Sequence, residues 1–334
     1  MLRATWEAYS LNFVFEARTS RAVMHKKDTY FVRLWDDAQP DVTAVGECAL
    51  FRGLSREDDA GYEQRLGDAC ADPRAALLSA DSSIRFGFEG AFAALERARG
   101  VAVADTPWER GEVGIPINGL VWMGDKELML NRIKEKLDQG FRCLKLKIGG
   151  IDFDDEIELI KMIRRRFPAD SLELRLDANG AFGTENVMHR LEQLSKYQIH
   201  SIEQPVMAGQ YDLMAKVCSE SPIPVALDEE LIGLTTNDFK EQLLGYVRPA
   251  YIILKPSLCG GLREADSWID CAGKMGIGWW ATSALESNVG LEEIARWLSR
   301  KDISMPQGLG TGQLYDNNVG NEMKIIGDKL FLRI

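Results

Sequence analysis

Arg142-Cys143-Leu144-Lys145-Leu146-Lys147-Ile148 and, after a helix-patterned stretch over Asp154–Arg166, Leu172-Glu173-Leu174-Arg175-Leu176-Asp177 together decide how this chain reads. Each is a short run rich in Leu, Ile or both that ends near a charged side chain. Strands covered on both faces, with a helix between them, make the βα unit of a parallel sheet. The same texture extends outward from this pair. Ile115–Val121 precedes it, and Ile199–Ile202, Pro224–Leu227, Ala250–Leu254 and Ile277–Ala281 follow. Lys126–Gln139, Asn186–Leu194 and Gly261–Lys274 are helix-patterned. The polar residues that end successive runs, Lys147, Asp177, Glu203, Asp228, Lys255 and Thr282, stand 30, 26, 25, 27 and 27 residues apart. A (β/α)8 barrel spends about 250 residues on eight units, so one unit is about this long. An open doubly wound sheet is the rival. No GxGxxG follows the first strand, however, and six successive strands keep one pattern, which favours a barrel.

The first hundred residues read differently. Trp6–Phe15, Asp28–Trp35 and Val42–Leu50 alternate loosely, as an antiparallel meander does, with polar Ala17-Arg18-Thr19-Ser20-Arg21 between the first two. Helical patterns follow over Glu57–Asp68, Ala75–Ser79 and Ser82–Ala98, the last carrying Phe86, Phe88, Ala91, Phe92 and Leu95. The expectation is a small α+β module over residues 1–107, rejoined by 311–334, and a barrel over 108–310.

Composition bounds the function. The 334 residues carry 40 basic and 51 acidic side chains, a net charge of −11. An acidic chain lacks the basic face that phosphate contacts need, so nucleic acid is not expected as a partner. No apolar run approaches the ~20 residues that cross a bilayer, and no secretory leader is visible, so no membrane partner and a cytoplasmic location are expected. Six cysteines without a CxxC pair read as reduced thiols. No GxSxG or GxxxxGK[ST] is present, and His25, His189 and His200 read as structural or surface residues.

Residues at the C-terminal ends of barrel strands face the mouth. There stand Lys145 and Lys147, then Asp177, Glu203 and Asp228, then Lys255, with Ser283 and Glu286 after the seventh run. Three carboxylates from neighbouring strands repel one another unless a cation joins them. An all-oxygen set suits a hard divalent ion, and zinc is disfavoured without Cys or His. The second and sixth strands lie half a turn apart in a ring of eight, so Lys147 and Lys255 should face each other across the mouth. A lysine near other cations in a dry pocket loses basicity and can serve as a base, and Lys145 should push Lys147 that way. Proton abstraction next to a carboxylate is the chemistry this suits.

These residues resemble the muconate-cycloisomerase subgroup of the enolase superfamily. Lys145-Leu146-Lys147 resembles its KxK motif, Asp177-Ala178-Asn179 its DxN, Glu203-Gln204-Pro205 its EQP, Asp228-Glu229 its DE and Lys255-Pro256-Ser257 its KPS. Within it, Ser283–Gly290 and Gly308-Leu309-Gly310-Thr311-Gly312 are similar to segments of the o-succinylbenzoate synthase family. The resemblance implies a modified (β/α)7β barrel with an α+β cap. It also implies a lyase of menaquinone biosynthesis that dehydrates a cyclohexadiene dicarboxylate to o-succinylbenzoate. It makes Asp177, Glu203 and Asp228 ligands of Mg²⁺, with Mn²⁺ as the substitute ion. Lys147 becomes the proton acceptor and Lys255 the opposed cation. Lys145, Asn179, Ser283, Glu286 and Ser287 surround the substrate, with Arg21 of the cap as a partner for a succinyl carboxylate. Ala284 departs from the Ser frequent in the family. The expected partner is a small dicarboxylate, with room for a homo-oligomer. N-succinylamino-acid racemase and dipeptide epimerase are the alternatives inside the subgroup. The epimerases usually carry DxD where this chain has Leu285-Glu286-Ser287. A catalytically silent barrel kept for binding is the reading from another class.

Overall fold

A computed structural model describes residues 1–18, 23–101, 105–233, 236–321 and 323–332. The chain opens with a meander of β1 (Leu2–Arg18), β2 (Val23–Asp36) and β3 (Gln39–Cys48), antiparallel throughout. The register runs from Leu2 opposite Asp36 to Asn12 opposite Lys26, then shifts before Ala17 meets Met24. Two helices complete this cap, α1 (Tyr62–Ala71) and α2 (Ser82–Ala98), with a 3₁₀ turn at Ala75–Leu78 between them. Ile84, Phe88, Ala91 and Leu95 recur at helical spacing on α2 and pack with Tyr30, Val32 and Leu34 of β2. Phe86 belongs instead to the core of the barrel. Helix and sheet meet at glycines. A Cβ on Gly46 would lie 2.0 Å from the Gly87 carbonyl, and one on Gly87 would lie 2.4 Å from Cys48 Sγ.

After the short β4 (Ile115–Pro116) the barrel begins. Strands and helices alternate in strict order: β5 (Gly119–Val121), α3 (Lys126–Asp138), β6 (Cys143–Lys147), α4 (Phe153–Arg166), β7 (Glu173–Asp177), α5 (Val187–Ser195), β8 (Ser201–Glu203) and α6 (Tyr211–Glu220). The order continues with β9 (Val225–Leu227), α7 (Asn237–Val247), β10 (Tyr251–Leu254), α8 (Leu262–Lys274), β11 (Gly278–Ala281) and α9 (Asn288–Leu298). Strands β5 to β11 pair in parallel, each with its neighbour in sequence. Their helices follow from local chemistry. On α4, Asp152 accepts the Asp154 N–H, acids fill the first turn and Arg164–Arg166 the last, as the helix dipole favours. On α8, Ala265, Trp268, Cys271 and Ala272 form the buried stripe.

Gln307 and Gly308 close the ring. Gln307 donates to Pro116 O and accepts from Asn118 N, while Gly308 donates to Ala281 O and accepts from Ser283 N. This segment therefore joins the first barrel strand to the last, and the architecture is a (β/α)7β barrel with an antiparallel cap.

The C-terminal segment corrects one expectation. The strand around Lys329 does not return to the cap. After β12 (Lys324–Ile326), β13 (Lys329–Phe331) pairs with β4 beside the barrel. The return is made earlier, where Leu314 O accepts from Val14 N, Asp316 N donates to Asn12 O, and Tyr315 packs on Phe13 with ring centroids 4.8 Å apart. No helix among the described residues is long and apolar enough to cross a membrane. The six cysteines are free thiols.

The cap is fastened to the barrel by buried carboxylates. Glu47 of β3 accepts from the Ser287 and Gly290 N–H groups at the start of α9 and from Ser287 Oγ. Glu89 of α2 accepts the Leu262 N–H at the start of α8. Each meets the partial positive charge of a helix N-terminus. Arg97 of α2 pairs with Glu293 of α9.

Candidate active site

Register brings the charged strand ends together. Lys147 pairs with Asp177 across β6 and β7, and Asp177 with Glu203 across β7 and β8. Side chains in one register row of a parallel sheet point the same way, so these three share a layer at the C-terminal rim. Asp228 follows β9 directly and Lys255 follows β10. Asp177, Glu203 and Asp228 are fully buried.

The ammonium groups lie among the acids. Lys145 Nζ is 2.9 Å from Asp177 Oδ2 and 2.6 Å from Glu203 Oε2. Lys147 Nζ donates to Asp177 Oδ2 at 2.6 Å and to Asn179 Oδ1 at 2.7 Å. Lys255 Nζ pairs with Asp228 Oδ2. Burial alone would raise the pKa of Asp177, but Lys145 and Lys147 overcome it and hold this carboxyl well below the usual range. Glu203 goes the other way. Burial raises it, Asp177 and Asp228 add repulsion, and Lys145 offsets only part. Burial opposes the charges on Lys145 and Lys255, yet the carboxylates around each hold both above the ordinary lysine value. Lys145 thus sits between Asp177 and Glu203, in contact with both.

The turns after the strands adopt unusual backbone. Asn179 (φ 46°) and Gln204 (φ 39°) are left-handed non-glycine residues immediately beyond the rim. Gln204 Oε1 accepts the Asp228 N–H at 3.1 Å, and its side-chain N–H donates to Val206 O. Asn179 also donates to Glu229 Oε1 at 3.2 Å. Backbone held this way at a strand end fixes where the adjoining side chains stand.

In donor chemistry, though not in their present spacing, Asp177, Glu203 and Asp228 suit a divalent cation. All three offer only carboxylate oxygens, and Asp228 Oδ1 is buried with no hydrogen-bond partner among the described residues. In the arrangement described, Lys145 bridges Asp177 and Glu203, and Lys255 pairs with one oxygen of Asp228. Among the described residues no group of three His, Cys, Asp or Glu side chains is gathered closely enough to hold an ion.

Above this layer lies a cavity of about 610 Å³ between barrel and cap. Lys145, Lys147, Asn179, Lys255 and Ser283 line it, with Phe51, Leu120, Trp122, Leu258 and Leu285 as apolar walls. Glu286 and Ser287, expected at the substrate, are not among its lining residues. Glu286 accepts from Ser257 Oγ, Ser283 Oγ and Ala284 N, and so braces the loop that carries Ser283. Ser287 caps α9 and donates to Glu47. Arg21, with Thr19 and Ser20, lies outside the described residues. Sequence reasoning passed over the apolar walls and Lys27 of β2, which also lines the cavity. Lys27 falls two residues before Thr29, so extending the alternation of Asp28–Trp35 backwards puts it on the same buried face.

The profile of the family described as "Enolase C-terminal domain-like" matches residues 128–298. An o-succinylbenzoate synthase from Desulfotalea psychrophila is 41% identical over 98% of this chain and 98% of that protein. The crystal structure of MenC from the same organism covers 99% of each chain with a TM-score of 0.78 and 39% identity. The L-Ala-D/L-Glu epimerase from Bacillus subtilis, at 20% identity, TM-score 0.80, and coverage of 99% of this chain and 96% of its own, shares the fold. Enolase-superfamily enzymes generally depend on a divalent metal. With its barrel closed, its lysines and carboxylates on one rim and a relative matched from end to end, the chain belongs to the o-succinylbenzoate synthase family of the enolase superfamily.

Proposed function

We propose that this chain is a Mg²⁺-dependent o-succinylbenzoate synthase. It would remove water from 2-succinyl-6-hydroxy-2,4-cyclohexadiene-1-carboxylate. The observation that carries this reading is the pair Lys147 and Lys255, four places apart in the ring and both lining one capped cavity beside three buried carboxylates. Asp177, Glu203 and Asp228 would hold the cation, with Mn²⁺ as a workable substitute. Bound there, a divalent ion supplies positive charge where the substrate carboxylate gains electron density.

The chain's own residues do the rest. Lys147, in neutral form, takes the proton from the ring carbon that bears the carboxylate. The C–H electron pair moves onto the carboxylate as an enediolate, and the Lys255 ammonium faces that charge from across the mouth. Electron density then returns to form the new ring double bond as the C–O bond breaks. Lys147 hands its proton to the departing hydroxyl, so water leaves and the ring becomes aromatic. No redox partner enters. Asn179, through its bond to Lys147, orients the base, and the cap keeps solvent water from the carbanion.

The test is direct. Protein with Mg²⁺ should consume the cyclohexadiene substrate, followed by its ultraviolet absorbance, and chelation should stop the reaction until Mg²⁺ is restored. A protein that leaves this substrate untouched while racemising N-succinylamino acids would replace the proposal with the racemase reading.

A further inference from the structure

Gln204 carries more of the rim than its place between Glu203 and Pro205 suggests. It is fully buried with a left-handed backbone (φ 39°), and its main-chain N–H and C=O and both ends of its side-chain amide each have a partner. In a parallel ladder, a residue that donates its N–H to one residue of the next strand accepts, through its own C=O, from the N–H two positions further on. Gln204 begins that pattern by donating to Ala226 O at 2.9 Å. The bond that should follow runs from Asp228 N to Gln204 O. It is not made, because the left-handed turn swings that carbonyl towards β7, where it accepts from Gly180 N at 2.7 Å. The side chain takes over the vacated bond. Its Oε1 accepts the Asp228 N–H at 3.1 Å, and its N–H donates to Val206 O at 3.0 Å, which fixes the way the amide faces.

One residue thus joins three strand ends. Gly180 follows Asp177 in the turn after β7, Glu203 immediately precedes Gln204, and Asp228 receives the side chain directly. These three acids are the ones proposed above to hold the cation. Their side chains meet Lys145, Lys147 and Lys255, but the main chain beneath them is held by Gln204 independently of those lysines. An apolar side chain at this position would strand the Asp228 N–H and the Val206 carbonyl in the interior, where an unmade hydrogen bond is costly.

We infer that Gln204 is a positioning residue, whose side-chain amide stands in for a backbone bond between β8 and β9 and holds Asp228 in register with Asp177 and Glu203 for cation binding. This rests on the proposed function for the assignment of the three acids as ligands. Gln204 takes no part in proton transfer and does not line the cavity.

The experiment measures Mn²⁺ binding by calorimetry with no substrate present. Gln204→Met keeps the bulk of the side chain but can neither accept from Asp228 nor donate to Val206. It should weaken Mn²⁺ binding by about 10-fold or more, the scale on which a residue supporting a metal ligand is lost. A general loss of stability is separated by a control, Gly87→Ala, which strains the contact between α2 and β3 in the cap and should leave Mn²⁺ affinity unchanged. Where Q204M does not fold, Q204G suits the left-handed backbone, removes the amide and gives the same comparison. An amide-deficient variant that binds Mn²⁺ as tightly as wild type, an equal loss in G87A, or a wild-type protein that binds no Mn²⁺ would each overturn the inference. Dehydration with Mg²⁺ is scored separately. If wild type turns over the cyclohexadiene while Q204M binds Mn²⁺ undiminished, only this inference falls. If Q204M loses Mn²⁺ while wild type binds the ion but leaves the cyclohexadiene untouched, only the proposed reaction falls.

Discussion

At the scale of single residues, the proposed chemistry makes unequal demands on the two opposed lysines. Lys147 both takes and returns the proton, so Lys147→Ala should lower kcat for dehydration by about 10³-fold or more, read in a single-turnover ultraviolet assay. A variant that keeps near-normal turnover would remove Lys147 from the role. Lys255 is asked only for charge. Lys255→Arg should keep measurable dehydration while losing solvent-proton exchange into any N-succinylamino acid, and loss of both would mean that Lys255 also moves a proton. The rim residues were legible in the sequence because each charged group ends an apolar run, where solvent or a site must take it. Lys27 was not, because Lys26-Lys27-Asp28 looks like a polar turn and its burial depends on a barrel hundreds of residues away. Glu286 and Ser287 show the converse. Their segment carried a family resemblance, but only the fold reveals that they brace the loop and cap α9.

At the scale of elements, α2 is held against β3 by the absence of side chains. Gly87→Ala would place a methyl 2.4 Å from Cys48 Sγ and 2.8 Å from its backbone nitrogen. The helix would have to lift from the sheet, at a cost of about 3 kcal/mol or more, seen as a lowered urea midpoint. An unchanged midpoint would show that the cap relaxes freely. Strands buried on both faces announced themselves through unbroken apolar runs, and the barrel strands fall where those runs do. The ring-closing Gln307-Gly308 did not, since two residues carry no period and their place is set by pairing on both sides. The helix expected from Glu57 starts only at Tyr62, because Asp59 accepts the Gly61 N–H and folds the intervening residues into a turn. The pairing of β13 with β4 escaped notice for a related reason. Apolar alternation marks a strand without naming its neighbour.

At the scale of the whole molecule, the junction between cap and barrel should respond to pH. Burial pushes the Glu89 carboxyl up to about 7 from an ordinary 4.5, against the hydrogen bonds from Leu262 and Arg263 and the charges of Arg263 and Arg85. The folded protein therefore binds a proton that the unfolded chain has released between these two values. Stability from this group is lost as pH rises from about 4.5 to about 7, by at most about 3 kcal/mol. Glu89→Gln should match wild type near pH 5 and exceed it near pH 8 in urea unfolding. A constant difference between the two proteins across that range would exclude Glu89 as the cause.

The closing segment also bears on how the molecule is made. Synthesis runs from the N-terminus, and the ring cannot shut until Gln307 and Gly308 have been added and have found both Pro116 and Ala281. Up to that moment β5 and β11 are bare edges of an open sheet, able to pair with another nascent chain. The same delay holds for the contact between Phe13 and Tyr315, which ties the earliest strand to a stretch made later still. A protein built this way spends most of its translation as a sticky, inactive intermediate, and its demand for chaperones should be set by the wait for those two residues.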